Sequence, residues 1–295
     1  MDDETFEILL ADSNDESAHF RLQNEPGEMQ REFITGYDRR DALRVLGRLV
    51  DVVHGRYSED SEAAPCSLAI FEFAALGQKS TRRRYREVQI DIVFSAHGRD
   101  SARWDPGVKS IAPRGPRSLL RTTRASERKH GFETGVQLAA DPVASAGVSY
   151  TYEMSDAAEC GDSMIVEGTE AFVGRAAGKP NAARFALREN ASQKSGVPKY
   201  LRVAVLLERR VGDEGLFLAT VNVRAHVSVF ADARESVRRV VGRIPPDDAV
   251  VFDPRIPPTT DKYPVDNLAS VSLSRECAIE SGYEDRDETD EDSGQ

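Results

Sequence analysis

Cysteine is scarce in this chain: Cys66, Cys160 and Cys277 are the only three, with no C-x-x-C pair and no histidine nearby at metal-ligand spacing. That excludes a disulfide framework and a sequence-local zinc site, and it points to a reducing compartment. Histidine is sparse too. His19, His54, His97, His130 and His226 fall in no H-x-H, H-E-x-x-H or H-x-x-E-H pattern, so the common metal-site signatures are missing. A G-x-S-x-G elbow and the G-x-x-x-x-G-K-[ST] and G-x-G-x-x-G phosphate loops are also lacking, which removes the motif-bearing hydrolases and nucleotide-binding enzymes from consideration. No apolar run approaches the roughly 18 residues of a membrane span, and the opening Met1-Asp2-Asp3-Glu4 is acidic where a leader peptide is basic. The expectation is a protein of the cytoplasm, with the nucleus the other compartment allowed. It is not secreted, has no transmembrane segment and no cofactor, and offers no catalytic or metal-ligating residue to name.

Charge is plentiful but segregated. The net of -11 comes from 39 basic and 50 acidic side chains. Residues 280–295 hold eight acids and one arginine, a net of -7, and residues 99–130 hold nine Lys or Arg against three acids, a net of +6. Interactions are therefore set by these two segments more than by the overall charge.

The strongest pattern lies in residues 201–230. Phe217, Ala219, Val221, Val223, Ala225, Val227 and Val229 alternate with Thr220, Asn222, Arg224, His226 and Ser228. A period of two over that length predicts a strand with one dry and one wet face. The preceding run from Leu201 to Leu207 is apolar, and a loop with Gly212 and Gly215 separates the halves, which reads as a long antiparallel hairpin. Further strands are expected at 67–76, continuously apolar apart from Glu72 and so covered on both faces, and at 88–94. The series continues at 108–113, 132–138, 148–154, 164–172, 181–188 and 250–252, with the arginine cluster 82–86 as a charged hairpin connection.

Two helices are expected. Ala42, Val45, Leu46, Leu49, Val50 and Val53 recur at steps of three and four behind an aspartate cap, the stripe of an amphipathic helix over 38–56. Residues 232–241 read as a short C-terminal helix ended by Ile244-Pro245-Pro246. Strands that follow one another without intervening helices favour an antiparallel β-sandwich of about eight to ten strands. Residues 1–37 then form an N-terminal segment of short strands or partial disorder, 67–254 the sandwich domain, and 255–295 an extended, acidic, largely disordered tail on whose way Tyr263 and residues 268–273 touch the domain surface.

The stretch from Asn181 to Asn190 (NAARFALREN) resembles an uncharacterised group of β-rich proteins of filamentous fungi. The resemblance continues through Lys194-Ser195-Gly196-Val197-Pro198, Leu201 to Leu207 and Asp247 to Pro254, and takes in Trp104-Asp105-Pro106 and Ile111-Ala112-Pro113. It spans roughly 67–254, implies a single domain and an intracellular fungal setting, and brings no activity, cofactor or catalytic residue with it.

Two function classes follow. The first is a non-enzymatic module that binds a protein or another ligand through loops or a sheet edge, with Trp104, Arg114, Arg117, Arg121 and Arg124 as the candidate binding surface. Dispersed arginines neutralise phosphates, so nucleic acid is a lesser candidate partner; a reading helix and aromatic interleaving are missing. The second class is an enzyme of unrecognised type, with a site in the loops around Trp104 and Cys160. An enzyme calls for a concave pocket where polar side chains converge. Against it, Glu159 and Asp162 flank Cys160 and disfavour a thiolate, and His226 reads as a polar surface residue.

Overall fold

The computed structural model of the chain describes residues 4–9, 22–36, 43–60, 62–78, 83–98, 102–129, 155–229, 247–258 and 260–281. The strands expected at 132–138 and 148–154, the helix at 232–241 and the acidic residues from 282 onward lie outside the described residues.

The described chain is mainly β, with thirteen strands in two antiparallel sheets and no barrel closure. In chain order the strands are β1 Glu4–Leu9, β2 Phe33–Thr35, β3 Arg44–Arg56, β4 Pro65–Leu76, β5 Arg83–Ala96, β6 Gly107–Ala112 and β7 Gly115–Lys129. They continue as β8 Ser155–Ala171, β9 Ala182–Arg188, β10 Tyr200–Glu208, β11 Phe217–Val229, β12 Val250–Phe252 and β13 Ala278–Glu280. One sheet runs β1-β11-β5-β9-β8-β7, with β12 also on β11; the other runs β13-β10-β4-β3-β2, with β6 also on β10. The sheets thus draw strands from either side of the span 67–254.

A shared core lies between the sheets. Val45, Leu49, Phe71, Phe73, Val203 and Val205 from one meet Ile90, Ile92, Phe94, Phe185, Phe217 and Val227 from the other. A second core covers the outer face of the six-stranded sheet, where Val53, Leu68, Ile70, Ala204 and Leu206 pack under Tyr263 and Leu268. This explains the continuous apolar runs. In β4 and β10 odd positions enter the inner core, while Leu68, Ile70, Ala204 and Leu206 enter the outer one, so neither face needs polar residues. The seven-stranded sheet shows a polar outer face instead, tied across strands by Arg184 on Asp91 (2.6 Å) and Arg188 on Glu87 (3.2 Å), as the alternation predicts.

Three expectations are corrected. Where an amphipathic helix was expected over 38–56, the described residues 44–56 form β3, paired with β4 along its length. Its valines at 45 and 53 and leucine at 49 serve two cores on opposite faces, and a bulge between Leu49 and Asp51 shifts their phase. Apolar residues on both faces of a bulged strand reproduce the three- and four-residue spacing of a helix, and the β-branched Val50, Val52 and Val53 favour the strand. Second, β10 and β11 form no hairpin: the connection 209–216 carries the chain from one sheet to the other, and both strands face the shared core. Third, the described residues 255–281 are packed. They cover the outer core and add β13 to β10, because the apolar outer faces of β4 and β10 must be kept from water. Gly55 makes this possible, since a Cβ there would sit 2.0 Å from the Val265 carbonyl oxygen, which accepts a 2.7 Å hydrogen bond from the Arg56 amide.

Candidate functional site

At one end of the two sheets, β10 finishes opposite the starts of β4 and β6, and β11 starts opposite the end of β5. The described residues of the connections 97–106, 172–181, 209–216 and 253–258 therefore gather there. Connections 209–216 and 253–258, with the end of β3 and residues 265–266, line a cleft of about 570 Å³ whose charged side chains are Arg56, Arg209 and Arg255 beside Asp213, Glu214 and Asp266, with His54 and Val211.

The cleft is concave and polar, the shape an enzyme requires, so the state of its reactive groups decides what it can do. His54, brought in by the end of β3, is buried with both ring nitrogens in use. Gln30 Oε1 accepts from Nε2 at 2.8 Å, which leaves Nδ1 to accept from the Ser67 hydroxyl at 2.8 Å. Burial, reinforced by the Arg209 charge, pushes its pKa down to about 4. The ring is neutral and engaged, and the Phe217 ring packs edge-on at 6.0 Å. Ser67 is fully buried. Burial and the nearby Glu208 carboxylate push the Cys66 thiol up to about 11, far from a reactive thiolate. Among the described residues no group of three or more His, Cys, Asp or Glu is placed to hold a metal ion.

Arg209 differs from these. It is 7% exposed, its Nη1 donates to the Asp213 main-chain carbonyl at 2.7 Å, and its Nε has no partner. No carboxylate forms an ion pair with it among the described residues. Burial lowers its pKa, and the Asp213 charge offsets that only in part. Arg255, by contrast, is clamped to Asp253 through bonds of 2.8 and 2.7 Å, which hold that carboxyl at about 2. Val211 stands 71% exposed at the lip, and Phe172 is exposed in the β8–β9 connection at the same end.

Trp104 belongs to this end. It closes a 3-10 turn, Ala102–Trp104, with the Arg103 and Arg210 guanidiniums 5.4 and 5.2 Å from its ring centre. Next to it Arg175 pairs with Asp105. The candidate arginines lie elsewhere. Arg114 is exposed and reaches Glu170 at 3.2 Å, Arg117 and Arg121 are exposed on β7, and Arg124 has its backbone in β7 opposite Cys160. Strand β7 lies at the edge of the seven-stranded sheet among the described strands and runs away from the Trp104 end; the side chains of Arg124 and Cys160 lie outside the described set.

Sequence reasoning missed His54, Arg209 and the buried Arg84–Glu189 pair. Arg84, expected in an exposed connection, sits with its side chain 5% exposed against Glu189 at 4%, 2.8 Å apart. Glu189 also accepts from Arg86 at 3.2 Å and from the Gly196 amide at 3.3 Å. The only signal for Arg209 was its position directly after a strand buried on both faces.

No protein-family model matches the chain, and no curated protein matches it. Among the described residues no helix is long and apolar enough to cross a membrane.

Proposed function

We propose that the chain is a non-enzymatic β-sandwich module whose loop end binds an acidic segment of a partner protein. The observation that carries this is Arg209, a buried cation lining the cleft with no carboxylate in an ion pair with it among the described residues. A buried charge that nearby carboxylates offset only in part is costly, and a perturbed ionisable group in a cleft marks a candidate site. A partner carboxylate supplies the missing charge. Arg56 beside it extends the basic contact, while the exposed Val211 offers an apolar contact that a polypeptide uses and a free anion does not. The engaged His54, the buried Ser67 and the raised Cys66 thiol favour binding over chemistry.

The single tryptophan serves as reporter, because its ring contacts Arg210, next in the chain to Arg209. A hexaglutamate peptide titrated into the full chain is expected to shift Trp104 emission saturably. Arg209→Gln keeps a donor for the Asp213 carbonyl and is expected to weaken binding roughly tenfold, the scale of one charge-assisted contact. The exposed Arg56→Gln should weaken it by less. Unchanged affinity in Arg209→Gln, with an unchanged unfolding midpoint, overturns the reading.

A further inference from the structure

The cleft that holds Arg209 does not end at Arg56. A second cleft of about 610 Å³ adjoins it, and Arg56, Val265 and Asp266 line both. Backbone pairing fixes the spacing. Arg56 of β3 pairs with Pro65 of β4, and the Arg209 amide donates to the Pro65 carbonyl at 2.7 Å. Arg56 and Arg209 therefore stand two strand spacings apart, about 10 Å. The Arg56 amide in turn donates to the Val265 carbonyl at 2.7 Å, which seats residues 263–267 against the end of β3. The two clefts are thus consecutive parts of one groove across the ends of β10, β4 and β3.

Charge changes along this groove. Arg209, in the first cleft, is 7% exposed and its Nε has no hydrogen-bond partner. The second cleft is lined by Glu59, Asp261 and Asp266, all exposed and in no ion pair among the described residues, and Arg56 at the junction is the only cation among its described lining residues. These carboxylates do not converge on a point, since no described group of three is placed to hold a metal ion. Acids spread along a cleft suit a long, flexible cationic side chain instead. The walls are stiff as well: Pro254 lines the first cleft, and Pro258 and Pro264 line the second. Proline's fixed φ leaves such walls less conformational freedom to lose on binding.

We propose, resting on the function assigned to Arg209 above, that the groove takes an extended polypeptide segment of mixed charge. Its acidic residue meets Arg209, and a lysine or arginine at least three residues away lies among Glu59, Asp261 and Asp266. At about 3.3 Å per residue, three residues cover the distance from Arg209 to Arg56 and the next enter the second cleft. The second cleft makes the site selective, because a tract acidic throughout meets like charge there.

Three fluorescein-labelled peptides test this by anisotropy on the full chain at about 50 mM salt. One is Glu-Glu-Glu-Gly-Ser-Gly-Lys-Lys-Lys, one has the reverse order, and the control replaces the lysines with serines. One of the two mixed-charge orders should bind roughly fivefold tighter than the control, the scale of one or two exposed ion pairs. Glu59→Gln combined with Asp261→Asn should remove that gain; both side chains are exposed, and an unaltered unfolding midpoint verifies that the variant is folded. A control that binds as tightly as both mixed-charge peptides overturns the two-part groove and leaves the role of Arg209 standing. Absence of binding by all three peptides overturns both. A gain that survives the double substitution also overturns the groove, because the lysines then respond only to the net charge of the chain.

Discussion

His54 turns burial into a pH dependence. Its pKa is about 4 in the folded chain, from burial and the Arg209 charge, against 6.5 for an ordinary histidine. Between those values the unfolded chain holds a proton that the folded chain does not, so stability rises with pH through this window. The contribution is fully present above about 6.5 and is lost as pH falls toward 4, with a ceiling on the order of 3 kcal/mol. Urea unfolding midpoints should therefore fall between pH 7 and 4.5 in the native chain, and the fall should be shallower by up to one proton in His54→Gln. An equal slope in both would show that His54 does not carry the dependence. Asp253, held at about 2 by Arg255, is a depressed carboxylate whose contribution is present above the ordinary carboxylate range and lost only below that window, so the two are separable. Neither residue announced itself in the sequence. Arg84 and Arg209 read as loop charges because burial of an arginine depends on a distant chain segment, Glu189 for one and the Asp213 turn for the other.

Elements that face one dry and one wet surface were legible; those that face two dry surfaces were not. Strands β5 and β11 follow their alternation, and β6, β9 and β12 lie where the apolar runs and turn residues put them. The covering of β4 on both faces was also readable from its unbroken apolar run. The same physics hid β3, whose two buried faces and bulge imitate a helical stripe. It also hid the separation of β10 from β11, because a glycine-bearing loop of hairpin length can equally arch between sheets. What covers the outer face could not be read from β3 or β4, since the cover is a proline-rich stretch some 200 residues later in the chain. Gly55 is the hinge of that arrangement. Gly55→Ala puts a methyl group against the Val265 carbonyl and should cost about 1–3 kcal/mol, the usual range of overpacking. Amide exchange should rise first at residues 263–277. Unaltered protection there would mean that the covering segment is held by its side chains alone.

At the scale of the whole molecule the pairings are long-range. Strand β1 pairs with β11 about 220 residues later, and β4 pairs with β10 about 130 residues later. Loops of that length must close before the contacts reward them, and chains dominated by such pairings fold slowly. Recovery of native Trp104 emission after dilution from denaturant should take on the order of seconds or longer, and completion within milliseconds would contradict the topology. The central position of β4 carries a consequence for biosynthesis. At ribosomal rates of about 5–20 residues per second, the nascent chain holds this doubly apolar strand for on the order of ten seconds before β10 emerges to shield it. Through that interval a chaperone is the natural substitute for the absent neighbour.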